Sequence, residues 1–315
     1  MKVVIPGGTG QVGTILARHF YSKGHEVVVL SRRSKPAPWR IVEWDGQTLG
    51  PWAKELDGAD VLINLTGRIV NCRYNYKNRC EIWSSRARSV RILGKALETL
   101  SAPPRVWLQA GTATIYAHRF DAPNDEYTGI MGGTEDASPD KWRFSIDVAR
   151  AWEGEFALIE APKTRKVLLR SAMTMSPDRD GVFDYLLWLV RVGLGGKVGA
   201  GNQYVSWIHY NDFINAIQFL IDHQELSGAI NIASPNPLPN ADFMSHLRKA
   251  WNRKYALPIY EWMLDVGAVF LRTESELVLK SRRVVPARLL DAGFKFQYPD
   301  WSAASEDLCS RWKNT

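Results

Sequence analysis

Cysteine is scarce: Cys72, Cys80 and Cys309 are the only three in 315 residues. No two stand as Cys-x-x-Cys, which excludes a disulfide framework and argues against a thiolate zinc site. That usage fits a reducing compartment, so a cytoplasmic protein is expected. Long apolar runs are missing as well. The longest, Tyr185 to Val190, stops at Arg191 after six residues, far short of the ~20 that a membrane span needs. At the start, three apolar residues (Val3 to Ile5) meet Pro6-Gly7-Gly8, where a signal peptide needs a longer apolar stretch. Neither export nor a membrane partner is expected. There is no internal repeat and no low-complexity stretch. Nor is there a dense basic stripe. The net charge is +7, but clusters rise no higher than Ser31-Arg32-Arg33 and Lys280-Ser281-Arg282-Arg283, whereas a nucleic-acid binder concentrates its charge. Nucleic acid is not an expected partner; an anionic small ligand is.

What is present looks globular. Hydrophobic residues make up 45% and charged residues 23%, near the average for folded domains. A chain of this length forms two lobes or one large α/β domain. The thirteen tryptophans, scattered at positions such as 39, 107, 188, 251 and 262, read mostly as core or inter-lobe packing, some as lining for an aromatic cleft.

Strands and helices alternate. Residues 2–5 read as a buried strand, 13–23 as a helix with Ile15, Leu16, His19 and Phe20 on one face, and 26–30 as a second strand. This is a βαβ unit, which implies parallel strands. Val42-Glu43-Trp44 reads as a third strand closed by Asp45. Strands at 60–65, 106–110 and 166–170 and helices at 78–100 and 143–160 continue the pattern. The expected fold is α/β, a Rossmann-type doubly wound parallel sheet with a smaller, mostly helical C-terminal lobe. We place the dinucleotide domain at 1–170, with 206–234 returning to it through a strand at 229–232, and the substrate or cap lobe at 171–315. That lobe carries helices near 183–192, 240–252, 259–271 and 286–292. Residues 118–142 read as a long loop, a feature that is functional or disordered in most compact domains.

Gly7, Gly10 and Gly13 fall between the first strand and first helix with the spacing Gly-x-x-Gly-x-x-Gly. Such a turn tolerates positive φ, lets the backbone approach a pyrophosphate, and offers the free N–H groups of a helix start. Thr9, Gln11 and Val12 belong to the same segment. The second strand ends in Ser31-Arg32-Arg33, with no carboxylate to hold the ribose 2′-hydroxyl of NAD. A hydroxyl and two guanidinium groups suit a 2′-phosphate instead, so the cofactor read from this pattern is NADP(H). Asp45 at the end of the third strand is a candidate adenine contact. Leu65-Thr66-Gly67 closes the next strand, where the backbone can run past the cofactor; both segments read equally as plain strand ends.

The glycine spacing resembles the short-chain dehydrogenase/reductase superfamily, of the extended or atypical kind. Glu81-Ile82-Trp83-Ser84-Ser85-Arg86, Ala151-Trp152-Glu153, Gly193 to Gly199, Gly201 to His209, and Ser281 to Pro286 followed by Gly293-Phe294-Lys295-Phe296 narrow this. They resemble an epimerase-like family, known also as sugar-nucleotide epimerase or cell-division-inhibitor-like, that ends in a small domain of unknown function. The likeness runs from residue 2 to about 308. It implies catalysis by a serine or threonine and by a tyrosine with a lysine four residues on, and a homodimer through helices of the sheet layer. Thr112, in Gly111-Thr112-Ala113-Thr114-Ile115-Tyr116, matches the hydroxyl. Aligned on Glu153, the tyrosine and lysine positions hold Ser145 and Ala149. None of the eleven tyrosines has a lysine four positions later, so the usual pair is absent. Two further departures lie ahead of the long helix, where the family's Arg-Trp-Thr reads Arg73-Tyr74-Asn75 and a lysine is replaced by Arg79.

Other candidates follow. Tyr116 is a substitute acid or a packed aromatic. Arg86 is a holder for an anionic substrate or half of a surface ion pair. Glu153 touches the cofactor or an arginine, or is a solvated carboxylate on its helix. Trp207 and His209, two apart in a strand, share a face; the imidazole is a proton relay or a structural residue bonded to Asp212 or a backbone carbonyl. Gln203 lines the pocket from the glycine-rich stretch 193–203, which otherwise reads as a mobile lid. The expected protein is an NADP(H)-dependent oxidoreductase or epimerase-like enzyme acting on a small molecule. The alternative is a non-catalytic NADP(H)-binding regulator.

Overall fold

Successive side chains of a strand point to opposite faces, and here both faces are buried. In β1 (Lys2–Pro6), Val3 and Ile5 feed one core and Val4 the other. In β2 (Glu26–Ser31), Val27 and Val29 join the first core, Val28 and Leu30 the second. The near-continuous apolar runs of these strands are therefore what a covered parallel sheet demands. The remaining strands are β3 (Arg40–Glu43), β4 (Val61–Asn64), β5 (Val106–Ala110), β6 (Arg165–Ser171), β7 (Met173–Met175), β8 (Tyr204–Val205), β9 (Trp207–His209), β10 (Gly228–Ile232) and β11 (Leu238–Pro239). The computed structural model describes residues 1–133, 140–260, 263 and 276–314.

Seven parallel strands run in the order β10-β6-β5-β4-β1-β2-β3. The order reverses between β1 and β4, and ligands of such sheets bind outside the strand ends at that reversal. One face is covered by α1 (Gln11–Ser22), through Ile15, Leu16 and Phe20, and by α5 (Tyr210–Asp222), through Phe213, Ile217 and Leu220. The other is covered by α2 (Tyr76–Glu98), through Val90, Leu93 and Leu97, and by α3 (Asp140–Ala157), through Trp152 and Phe156. The long loop expected at 118–142 is tied at Tyr116–Met131 and Asn124–Val284 by isolated bridges, and α3 starts before it was expected to end.

After β6 the chain leaves the sheet at Ala172, and β7 pairs with β9 instead. A third core joins α4 (Val182–Arg191), α6 (Asn240–Ala250) and α9 (Trp301–Lys313), the last numbered after two short helices, α7 (Glu276–Leu279) and α8 (Ala287–Asp291). Phe243 stacks on Trp301 at 4.1 Å between ring centres, and Trp207 meets the same indole edge-on at 4.9 Å. Trp107 is likewise core, but Trp188 stays exposed. Of the helix expected at 259–271, only residues 259, 260 and 263 are described, and Trp262 also lies outside the described residues. Among the described residues no helix is long and apolar enough to cross a membrane.

The glycine-rich stretch corrects an expectation. Gly196 N and Gly199 N donate to the carbonyls of Leu257 and Ile259 at 3.1 and 2.8 Å. A Cβ on Gly196 would sit 2.4 Å from the Leu257 carbonyl oxygen. The glycine there serves close pairing of two chain segments and not approach to a ligand.

Tight packing also governs the start of α1. A Cβ on Gly13 would lie 2.5 Å from the Gly8 Cα, a backbone atom that cannot swing aside. We therefore expect Gly13→Ala to lower stability by about 1–3 kcal/mol, the usual range for overpacking, read as a lower urea midpoint with unchanged m; an unaltered midpoint would show that the turn has room.

Candidate functional site

The β1–α1 turn is built as a dinucleotide loop requires. Gly7 has φ of 75°, and a Cβ there would lie 2.8 Å from the Thr66 Cα. Only glycine lets this turn sit against the segment after β4. Gly10, by contrast, would meet nothing nearer than the Gly7 carbonyl oxygen at 3.7 Å, so its side faces open space. Gly10 caps α1 without a side-chain bond, and no acid stands in the first turn. The helix start thus keeps donors and its positive dipole end for an anion. Thr9 Oγ1 lies 3.2 Å from the buried Ser31 Oγ, which pins the turn to the end of β2. Beyond it Arg32 and Arg33 are exposed and form no ion pair with any described residue. These features fit a dinucleotide with an additional phosphate on its ribose.

Asp45 stands two residues past β3 and is occupied by its own turn. Its carboxylate accepts from Gln47 N at 2.8 Å, Thr48 N at 2.9 Å and Thr48 Oγ1 at 2.7 Å. The Thr48 amide bond, foremost, holds its pKa below the ordinary carboxylate value. Leu65 N donates to the Pro6 carbonyl at 2.9 Å and Thr66 N to Asn64 Oδ1 at 3.1 Å, so Leu65-Thr66-Gly67 is anchored across the switch point.

At this point of the sheet a cavity of about 380 Å³ opens between α1, α2, α3 and the segments after β4, β5 and β6. Gln11, Val12, Leu65, Arg86, Thr112, Ser145 and Ala149 line it together. Thr112 caps a short 3-10 turn (Ala113–Ile115), accepting from Thr114 N at 3.2 Å. Arg86 donates from Nη1 to the carbonyls of Arg68 and Ile82 at 3.1 and 3.0 Å, and its guanidinium lies 5.0 Å from the Trp152 ring. Burial lowers its pKa to about 10, still well above neutrality.

Five other candidates lie elsewhere. Tyr116 is buried, donates to Asn231 Oδ1 at 2.9 Å and accepts from Arg170 Nη1 at 3.0 Å, and does not line the cavity. Burial raises its pKa against the opposing pull of Arg170, the wrong direction for a proton donor. Glu153 pairs through both oxygens with Arg170, at 3.0 Å to Nε and 2.8 Å to Nη2, and so meets an arginine and not the cavity. Gln203 is buried and braces the Val198 carbonyl at 3.0 Å. Trp207 and His209 do share buried surroundings, but in the third core and next to it, away from the cavity lining. His209 caps α5, its Nδ1 accepting from Asn211 N at 3.2 Å while Nε2 lies 3.2 Å from Asp307 Oδ2. The expected Asp212 partner instead accepts from Gln297 N and Tyr298 N at 2.7 and 2.8 Å.

One pair at the cavity was missed. Ser145 Oγ donates to Glu276 Oε2 at 2.7 Å, and Glu276 is buried. From the same C-terminal segment, Arg282 Nε donates to Thr114 Oγ1 at 3.2 Å and Lys280 Nζ to the Thr114 carbonyl at 2.8 Å. Ser145 stood out only as an aligned position, and no local pattern marks Glu276.

A parallel sheet reversing beside a glycine turn, with a cavity at the strand ends, defines a Rossmann-type dinucleotide-binding protein of the short-chain dehydrogenase/reductase kind. Residues 3–138 match the NAD dependent epimerase/dehydratase family, and residues 261–308 match a domain of unknown function, DUF1731. The human epimerase family protein SDR39U1 is 30% identical over 98% of this chain and 99% of its own length. The epimerase family protein YfhF of Bacillus subtilis is 28% identical, with 98% of each chain covered. The chain belongs to this epimerase family. A crystal structure of human SDR39U1 (isoform 2) with NADPH superposes with a TM-score of 0.85 at 28% identity, covering 98% of this chain and 99% of that one.

His209 makes the core acid-sensitive. Burial lowers its pKa from 6.5 to about 4 despite the neighbouring Asp307. Above pH 6.5 it is neutral in folded and unfolded chains alike and adds no pH dependence. Between these values the unfolded chain binds the proton first, so this residue's share of stability falls as pH falls, by at most about 1.4 kcal/mol per unit. Urea midpoints from pH 7 to 4.5 should drop less steeply in His209→Gln than in wild type; equal slopes would assign the sensitivity to other groups.

Proposed function

We propose that the protein is an NADP(H)-dependent oxidoreductase or epimerase-like enzyme acting on a small molecule in the α1–α2–α3 cavity. The observation that carries this is the end of β2: no carboxylate, two arginines with no ion-pair partner among the described residues, and Ser31 tied to the glycine turn. The NADPH of the human relative's structure supports the same cofactor. Gly7, Gly10 and Gly13 with the start of α1 would hold the diphosphate, and Arg32 and Arg33 the 2′-phosphate. When bound, NADP(H) supplies or accepts a hydride; all else falls to this chain.

Thr112 lines the cavity next to β5 and orients a substrate oxygen. Ser145 stands where the family likeness expects a tyrosine. A serine alone is too weak an acid or base for this work, but its hydroxyl is bonded to Glu276. A proton leaving a substrate hydroxyl passes to Ser145 Oγ as the serine's own proton passes to the carboxylate; the reverse sequence protonates an alkoxide. No lysine is needed to depress a tyrosine pKa, in keeping with Ala149.

Titration of tryptophan fluorescence with NADPH and with NADH separately tests the cofactor. NADPH should bind more tightly, and the double variant Arg32→Ala/Arg33→Ala should weaken NADPH by at least about tenfold while leaving NADH nearly unchanged, as expected for lost charge-assisted bonds. Equal affinities in wild type would overturn the phosphate assignment. A second reading, a non-catalytic NADP(H)-binding regulator, draws on the missing tyrosine–lysine pair. It predicts that Thr112→Ala reproduces wild type in every assay, whereas the enzyme reading predicts lost turnover with cofactor affinity kept.

A further inference from the structure

Arg86 is the one charged side chain among the described residues lining the cavity. It is fixed in place before any ligand arrives. Nη1 is held by two backbone carbonyls, the guanidinium lies over the Trp152 ring, and a Cβ on Gly67 would already stand 3.1 Å from Cζ. No described carboxylate pairs with it. Nε and Nη2 have no protein acceptor among the described residues. A half-buried cation held this firmly without a counter-ion is unbalanced in the free protein, and an anionic ligand would restore the balance.

From this arrangement we infer that the cavity takes a small organic carboxylate with an apolar body, its carboxylate held by Arg86. Leu65, Val70, Ile82, Phe144, Val148 and Trp152 provide the apolar walls. One guanidinium with Nε and Nη2 to spare matches one planar carboxylate, which it can grip through both oxygens. A sugar nucleotide carries a diphosphate, and among the described residues no second cation lines the cavity to meet it. The cavity of about 380 Å³ is at the small end for ligand sites, and by the reading above the nicotinamide occupies part of it. The inference deepens the proposed function and rests on it for the identity of the site as the substrate cavity.

The test is calorimetric titration of NADPH-loaded and cofactor-free protein with benzoate, phenylacetate and hexanoate, each beside its neutral amide. At least one carboxylate should bind about tenfold or more tightly than its amide, and Arg86→Gln should abolish that preference while shifting NADPH affinity less than about threefold. Arg86→Lys keeps the charge but loses the fork, and should fall between the two; its thermal transition, with that of Arg86→Gln, reports on folding. No charge preference across the panel would overturn the inference. So would an Arg86→Gln variant that loses NADPH affinity while keeping carboxylate binding, because the arginine would then serve the cofactor diphosphate. Failure of wild type to bind NADPH would sink the proposed function, yet the carboxylate preference would still be readable in the cofactor-free protein.

Discussion

Arg170 is a cation placed inside the sheet, and much of the floor beneath the cavity is arranged around it. It sits on β6, where a buried charge without a partner costs several kcal/mol. Glu153 on α3 answers it through two bonds, and Tyr116 accepts from Nη1 and donates its own proton to Asn231 on β10. Asn231 N in turn donates to Glu126 at 2.8 Å. One charge thus joins α3, two strands and the loop after β5. It fixes the height of α3 against the sheet, and so where Ser145 and Ala149 face the cavity. Burial depresses the guanidinium's pKa, but Glu153 outweighs it and leaves the pKa raised, which keeps the network ionised.

The same network explains where reasoning from sequence stopped. The glycine turn, the basic end of β2 and the strand order follow from residues adjacent in the chain, so spacing alone exposes them. The side-chain directions of Tyr116 and Glu153 depend on Arg170, and that of His209 on Asp307, 98 positions away. No local pattern carries such information. Tyr116 looked like an acid because it follows β5; the Arg170 guanidinium turns its hydroxyl downward into the core. Trp207 and His209 were correctly seen as strand neighbours, but whether that strand faced a ligand or a hydrophobic core depended on α9. Gln203 and the glycines around it had the composition of a ligand loop and serve a chain crossing.

Two arginines near the cavity then play opposite parts. Arg170 is neutralised by protein groups beneath the site. Arg86 is held by carbonyls, which position a guanidinium without cancelling its charge. Carbonyl dipoles and an aromatic face lower the cost of keeping a cation half buried, while leaving its field directed at whatever enters. The first arrangement builds a wall; the second leaves a demand for an anion.

Loss of the tyrosine–lysine pair acquires a physical meaning in this light. With Ala149 in the lysine's place, no described cation of α3 lines the cavity, and Arg86 stands on α2 across the crevice. A lysine beside Ser145 would compete with the serine hydroxyl for Glu276 and would hold a carboxylate ligand on the α3 wall. Its absence would let the proposed proton-handling pair and the proposed anion-holding arginine occupy separate walls. On the carboxylate inference, a ligand held at Arg86 would extend across the apolar lining toward Thr112 and Ser145, and its reacting carbon need not be the one nearest its carboxylate. The C-terminal segment braces that second wall, Glu276 through Ser145 and Arg282 through Thr114.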